Sequence, residues 1–216
     1  MSSASHYLVC AGREVHYTEW GAGNAETVIA WHGLARTGRD MDQIAAHLAS
    51  RYRVICPDTI GRGLSQWSPQ PEKEYCLAFY AQLAESLADQ LGLDQFHWLG
   101  TSMGGAIGMH LAGGAFRGRI RKLVLNDIGP KLGDAAVARI RSYAGNPAAF
   151  DRLSELEAYF RTVYKPFGWL SDDHWRLLTE TSMRRTSEGK VTPHYDPKMV
   201  LQFELHPNDY ELWEAY

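Results

Sequence analysis

The chain has 216 residues, of which 45% are hydrophobic and 22% are charged, the composition of an ordinary globular protein. A length of this size is most simply organised as one domain with an insertion. The formal net charge is −3, and the sequence contains no basic run and no basic patch with interleaved aromatic residues. These features argue against nucleic acid or an anionic membrane surface as a partner.

The N-terminus and the cysteines predict a cytoplasmic protein. Residues 1–6 lack the charged start and the apolar stretch of a signal peptide, and no apolar run is long enough to cross a bilayer. The three cysteines show no CxxC spacing, so they fit neither a disulfide framework nor a zinc site. We therefore expect a reducing compartment, no membrane partner and no metal.

The first 130 residues alternate short apolar runs with helical patterns, which is typical of parallel βα units. Strands are predicted, in chain order, over residues 7–10, 13–20, 27–31, 53–57, 96–99 and 120–125. Helices are predicted over residues 40–50, 75–91 and 104–112. The expected fold class is α/β, with a mostly parallel twisted sheet between flanking helices.

After residue 130 the pattern changes, because strand-like runs disappear and helical spacing takes over. Helices are predicted over residues 135–143, 152–164, 172–183 and 209–216. We interpret residues 1–130 as the core and residues 131–216 as a helical cap laid over the ends of the strands. A cap of this kind shapes a pocket and keeps water out of it.

Residues 100–104 read G-T-S-M-G and fit the G-x-S-x-G pattern between a predicted strand and a predicted helix. A serine on so tight a turn takes a strained backbone, and the flanking Gly100 and Gly104 avoid clashes with the neighbouring strand and helix. The hydroxyl then stands clear of the sheet at a helix N-terminus, where negative charge is favoured. Ser102 is therefore predicted to be a catalytic nucleophile.

Two further motifs precede this one in the chain. His32 and Gly33 directly follow the strand over residues 27–31, and residues 58–65 (D-T-I-G-R-G-L-S) directly follow the strand over residues 53–57. With three motifs in this order, the chain from about residue 14 to residue 130 resembles the α/β-hydrolase family.

The resemblance implies a role for each motif. Ser102 would be the nucleophile, and the backbone N–H groups of Leu34 and Met103 would bind the oxyanion of the tetrahedral intermediate. His32 is interpreted as a structural hydrogen-bonding residue beside Gly33, and residues 58–65 as a turn that braces the site. Serine at the nucleophile position disfavours the epoxide and halide branches of the family, which use aspartate there. No metal or organic cofactor is implied.

A serine hydroxyl needs a histidine base, and the base needs an acid that holds its tautomer. Asp127, at the end of the strand over residues 120–125, is the candidate acid. The alternatives are that it caps the turn into the helical region, or that it hydrogen-bonds to the site without belonging to the triad. Three histidines of the cap, His174, His194 and His206, are weaker candidates for the base, because mobile cap loops rarely hold a base in place. The family places its histidine after further βα units, so we expect the base to lie outside these residues.

The predicted sheet ends at the strand over residues 120–125, which leaves an apolar edge unpaired. An edge of this kind is an aggregation hazard unless another segment covers it. We therefore expect a C-terminally incomplete fold whose edge is covered by a C-terminal piece, a second chain or another copy. On this interpretation the 216 residues alone are expected to be inactive on esters.

The predicted function is a serine hydrolase of a small ester or lactone, working through an acyl-enzyme at Ser102. One alternative is a non-catalytic ligand-binding protein of the same fold, and another is C–C bond cleavage or other chemistry of the family. A dinucleotide-binding protein is disfavoured, since the second glycine of G-x-G-x-x-G is replaced by Ser102.

Overall fold

The computed structural model describes residues 2–216, and a six-stranded sheet lies at its centre. Its strands are β1 (Ser3–Cys10), β2 (Arg13–Trp20), β3 (Thr27–Trp31), β4 (Arg53–Pro57), β5 (Phe96–Thr101) and β6 (Ile120–Asn126). They lie in the order β1-β2-β4-β3-β5-β6; β2 is antiparallel to both of its neighbours, and the other pairs are parallel. The predicted α/β class with a mostly parallel sheet is confirmed.

Helices cover the sheet and continue beyond it. In chain order the α-helices are α1 (Asp42–Leu48), α2 (Pro71–Glu74), α3 (Leu77–Gln90), α4 (Met103–Gly113), α5 (Asp134–Ala144), α6 (Leu153–Val163), α7 (Asp172–Thr181) and α8 (Gln202–Leu205). Short 3₁₀ turns lie at Gly38–Met41, Lys165–Phe167 and Pro197–Leu201. The helix predicted over residues 75–91 begins two residues later, because Tyr75 and Cys76 have non-helical backbone angles.

The core places the end of β5 beside the end of β3. Trp31 and Trp98, on these adjacent strands, are fully buried and stack with ring centres 5.3 Å apart. The indole nitrogen of Trp98 donates to the carbonyl of Gly104 at 2.9 Å, which ties the first turn of α4 to the sheet. The start of α4 is thereby fixed close to the sheet.

Two expectations for the second half of the chain are wrong. A two-stranded antiparallel hairpin, β7 (Met183–Arg185) with β8 (Val191–Pro193), interrupts the helices. Strands of three residues are too short to show an alternating pattern. Residues 209–216 form turns rather than a helix, and the Leu212 N–H donates to the carbonyl of Pro130 at 2.7 Å. That tertiary bond outweighs the local helical pattern.

In the part of the chain that the structure describes, each of the two edge strands, β1 and β6, pairs with a single neighbouring strand. Strand β6 is the last strand in the order, and Val124 on it is 51% exposed. The three cysteines are free and buried. Within residues 2–216, none of the helices combines the length and the hydropathy that a membrane crossing requires.

Candidate active site

Ser102 lies at the turn between β5 and α4 in the left-handed region, with φ 49° and ψ −115°. A non-glycine residue there is strained and persists where the surroundings hold it in place. The two flanking glycines allow the turn: a Cβ on Gly100 would overlap the backbone of Gly104, and one on Gly104 would overlap the carbonyl of Trp31. The turn therefore has the geometry that the motif predicts, and Ser102 is partly exposed.

Two backbone N–H groups flank this serine without an acceptor. Gly33 lies against Ser102, since a Cβ added to Gly33 would be 3.7 Å from the Cβ of Ser102. The next N–H along the loop belongs to Leu34, and that of Met103 is the first of α4. Neither donates to an acceptor within residues 2–216. Both are available to bind an oxygen that becomes negatively charged.

Arg62 braces both of the predicted oxyanion residues. Its fully buried guanidinium donates from Nε to the carbonyl of Leu34 at 3.0 Å and from Nη2 to the sulfur of Met103 at 3.7 Å. Nη1 donates to the carbonyl of Ile60 at 2.8 Å and to the Tyr80 hydroxyl at 3.0 Å. Arg62 is not among the predicted site residues, although its position inside the motif of residues 58–65 is a usable signal.

His32 is enclosed beneath the same loop. Its Nδ1 lies 2.6 Å from the carbonyl of Gly33, and its Nε2 accepts the N–H of Thr59 at 2.9 Å. Burial lowers the pKa of His32 to about 4, so the ring is neutral near pH 7. Both ring nitrogens are therefore occupied, and the geometry fits the structural role rather than that of a base for Ser102.

Asp58 holds the loop of residues 58–65 together. Its buried carboxylate accepts the N–H of Gly38 at 2.7 Å, the N–H of Leu64 at 3.0 Å and a ring nitrogen of His16 at 2.7 Å. Burial alone would raise the pKa of Asp58, but these hydrogen bonds bring it below its ordinary value. The Ser65 hydroxyl closes the turn by donating to the Asp58 carbonyl at 2.6 Å. The braced turn agrees with the role that the resemblance implies.

A cleft of about 300 Å³ opens above Ser102, between the loop after β3 and the helices that follow β6. Its apolar wall comes from both parts of the chain: Leu34, Ala35, Met41, Ile140, Tyr143, Tyr164, Phe167, Leu170, Leu177 and Leu178. Its charged and titratable side chains are Arg36, Arg39, Asp40, Asp127, Arg139 and His174. The cleft is thus mostly apolar, with charges at a few points.

Arg36 links the loop after β3 to the residue that follows helix α7. Its guanidinium pairs with the Asp40 carboxylate through two hydrogen bonds of 2.7 and 2.6 Å and donates to the Ser182 hydroxyl at 2.8 Å. The guanidinium carbon lies 4.8 Å from the ring centre of Tyr164. The charge of Arg36 is therefore neutralised by Asp40, and the side chain joins the loop after β3 to Ser182.

The candidate acid and the three candidate histidines do not all lie at the cleft of Ser102. Asp127 and His174 line the cleft together with Ser102. The Nδ1 atom of His174 is buried, and within residues 2–216 it has no hydrogen-bond partner, so no carboxylate orients the ring. His194 and His206 do not line the cleft, and the ring of His206 lies 3.1 Å from the carbonyl of Glu72. A complete serine–histidine–acid relay is not assembled at Ser102 in the described residues.

Known proteins show the same organisation. A family model described as the alpha/beta hydrolase fold matches residues 26–210. The chain is 40% identical to a 3-hydroxybutyrate-oligomer hydrolase of Cupriavidus necator over 210 residues, covering 93% of this chain and 71% of that protein. It superposes on an alpha/beta hydrolase of Novosphingobium aromaticivorans with a TM-score of 0.81 and 31% identity, over 91% of this chain and 70% of that one. A Rickettsia typhi structure gives a TM-score of 0.88 at 29% identity, over 100% of this chain and 77% of that one. The chain belongs to the alpha/beta hydrolase fold family.

Proposed function

We propose that the chain is a hydrolase of small carboxylic esters or lactones that forms an acyl-enzyme at Ser102. The observation that carries the proposal is that Ser102 and Leu34 line one apolar cleft. The N–H groups of Leu34 and of Met103, the residue after Ser102, have no acceptor within residues 2–216. The Ser102 hydroxyl would attack the acyl carbonyl, whose oxygen becomes negative between the two N–H groups. Loss of the alcohol would leave the acyl group on Ser102, and water would then release it.

The substrate class is proposed from the relative and from the charges of the cleft. The Cupriavidus necator protein is named as a hydrolase of 3-hydroxybutyrate oligomers, which are linear esters that end in a carboxylate. Arg39 and Arg139 line the cleft, and Arg139 is exposed and forms no ion pair with any residue that the structure describes. We propose that the apolar wall receives the acyl part of such an ester and that Arg139 receives its carboxylate.

Turnover by this chain alone is proposed to be slow. His174 lines the cleft, but no acid holds its Nδ1, and a base without an orienting acid is far less effective. The two N–H groups stabilise the oxyanion without a base, so acylation by an activated reagent is expected to persist at a reduced rate.

The test is reaction with a fluorophosphonate, followed by mass spectrometry that locates the adduct, in the chain and in Ser102→Ala. We expect an adduct on Ser102, weak hydrolysis of a short aryl ester, and acceleration by added imidazole that is lost in Ser102→Ala. Absence of an adduct on Ser102 would overturn the proposal. Fast hydrolysis without imidazole that is lost in both Ser102→Ala and His174→Gln would keep the hydrolase and assign His174 as its base.

A non-catalytic ligand-binding protein is the second candidate. The observation that favours it is the unoriented ring of His174 beside an otherwise well-formed cleft. Such a protein would bind an ester without forming an adduct on Ser102 in the experiment above.

We also propose that the chain is cytoplasmic and that a further segment or a second chain covers the edge of the sheet at β6. Three free, buried thiols support a cytoplasmic location. Val124 on the open edge of β6 supports a covering segment or chain.

A further inference from the structure

A second line of serine, histidine and aspartate joins β1, β2 and the loop after β4, and its residues do not line the cleft of Ser102. The Ser5 hydroxyl oxygen is 2.6 Å from Nε2 of His16, and Nδ1 of His16 is 2.7 Å from Oδ2 of Asp58. The register explains why they meet. Tyr7 on β1 faces His16 on β2, and Ser5 lies two residues earlier on the same face as Tyr7.

The hydrogen bonds decide which atom carries each proton. The pKa of Asp58 is below its ordinary value, so its carboxylate is ionised and can only accept a hydrogen bond. Nδ1 of His16 must therefore carry a proton, and in the tautomer that holds this proton alone Nε2 is the acceptor. Ser5 then donates its hydroxyl proton to Nε2. This is the arrangement that prepares a serine for attack, with the base oriented by an acid.

The three side chains differ in how far they are exposed to solvent. His16 and Asp58 are 3% and 2% exposed, whereas Ser5 is exposed at the edge of the sheet. The base and the acid are thus held in a water-poor site, and the hydroxyl remains accessible from solvent. Ser5 lies on the edge strand β1 and not in an enclosed cleft, so little surface is available to bind a large substrate. We therefore expect acyl donors that are small and already activated.

We propose that Ser5 is a second activated serine, which accepts acyl or phosphonyl groups from small activated donors such as aryl esters and fluorophosphonates. The Ser5 oxygen forms the new bond to the acyl carbon or to phosphorus, and its proton passes to Nε2 of His16. The bond to the phenolate or fluoride breaks, the leaving group takes the electron pair, and the proton on His16 is then released to it or to water. Asp58 is a positioning residue, since it acts through His16.

Ser3 provides a matched control within the same strand. It is exposed, it lies on the same face as Ser5, and no histidine accepts its hydroxyl within residues 2–216. In an unfolded chain neither serine is held against His16, so a difference that appears only in the folded protein comes from the folded geometry.

The experiment uses the Ser102→Ala chain, which removes the proposed nucleophile of the cleft. A fluorophosphonate is added, and mass spectrometry compares adduct formation on Ser5 and Ser3 in folded protein and in urea. We expect Ser5 to react at least about tenfold faster than Ser3 when folded, and equally in urea, because general base assistance requires the folded geometry. Equal reactivity in the folded protein, or a preference for Ser5 that survives in urea, would overturn the proposal.

A second variant tests the base directly. His16→Gln, compared at a temperature where circular dichroism shows it folded, is expected to bring the Ser5 to Ser3 ratio close to one. An unchanged ratio in folded His16→Gln would overturn the role of His16. If this variant does not fold, the comparison of folded and unfolded Ser102→Ala decides alone. None of these outcomes depends on whether Ser102 is itself reactive.

Discussion

Nε of Arg62 donates to the carbonyl of Leu34 at 3.0 Å, so a buried cation fixes the loop that carries one of the two proposed oxyanion donors. The same guanidinium touches the sulfur of Met103, which carries the other donor. No carboxylate pairs with Arg62 within residues 2–216; carbonyls, a hydroxyl and the rings of Tyr75 and Tyr80 surround it, with ring centres 5.5 and 5.1 Å away. Stability and the proposed chemistry therefore depend on one planar group with several donors.

Arg62→Lys keeps the charge but replaces a planar fork with a single ammonium that cannot reach the same acceptors. We expect the free energy of unfolding, measured in urea, to fall by about 3 kcal/mol, since several buried acceptors lose a charged donor. Reaction of Ser102 with a fluorophosphonate should slow as well. The matched control is Arg121→Lys on β6, where the side chain is 51% exposed and a change below about 0.5 kcal/mol is expected. Similar losses in both variants would contradict the bracing role.

Gly104→Ala tests the close approach of α4 to β3. The new methyl group would overlap the carbonyl of Trp31, a backbone atom that cannot turn aside. We expect a loss of about 3 kcal/mol or more in urea unfolding, the scale of overpacking in a core. Gly129→Ala is the control, because nothing lies within 4 Å of its added methyl group. Equal stability of the two variants would show that α4 can move away from the sheet.

Ser102→Gly separates the strain of the turn from the chemistry of the hydroxyl. Since φ is 49° at Ser102, glycine relieves a backbone that alanine leaves strained. Ser102→Gly should be more stable than Ser102→Ala by about 1 kcal/mol, and neither variant should form an adduct at this position. The melting temperatures of the two variants give the comparison. A Ser102→Gly variant that melts below Ser102→Ala would mean that the turn is not strained.

The sequence predicts the sheet and the turn at Ser102 well because both are encoded locally. Apolar runs mark the strands, and the steric demands of the turn leave few choices at Gly100 and Gly104. The brace made by Arg62 depends on contacts between residues 28 and 41 positions apart, so no local pattern shows its partners.

The second half of the chain is harder to predict, because its structure also depends on contacts between residues that are far apart in the sequence. The turns over residues 209–216 are set by the contact of Leu212 with Pro130, which no helical periodicity includes. The position of His174 in the cleft likewise depends on how helix α7 packs against the rest of the chain. The line from Ser5 through His16 to Asp58 joins two strands and a loop, and its three residues are far apart in the sequence.

The lowered pKa of His32 predicts that the folded chain loses stability in mild acid. Its pKa is about 4 in the folded chain against an ordinary 6.5, so the unfolded chain binds more protons between these values. The contribution of the neutral ring is complete above pH 6.5 and is lost as the pH falls toward 4, at a cost of about 3 kcal/mol. Burial lowers the pKa of His194 as well, so His194→Gln removes the second histidine whose pKa is lowered. Urea unfolding of that variant from about pH 7.5 to about pH 4.5 measures it. A flat profile would contradict the buried, neutral state of His32.

Arg139 tests the substrate class apart from turnover. In the Ser102→Ala chain, calorimetry compares the linear dimer of 3-hydroxybutyrate with its methyl ester, which lacks the terminal carboxylate. Arg139→Gln should weaken binding of the free acid by about tenfold, the effect of one charge-assisted hydrogen bond, and leave the methyl ester nearly unchanged. Arg117→Gln, an exposed arginine outside the cleft, should alter neither affinity. If Arg139→Gln weakens both ligands equally, the arginine shapes the cleft and does not recognise the carboxylate. If it weakens neither, the carboxylate lies elsewhere, and the free Nη atoms of Arg39 become the group to substitute.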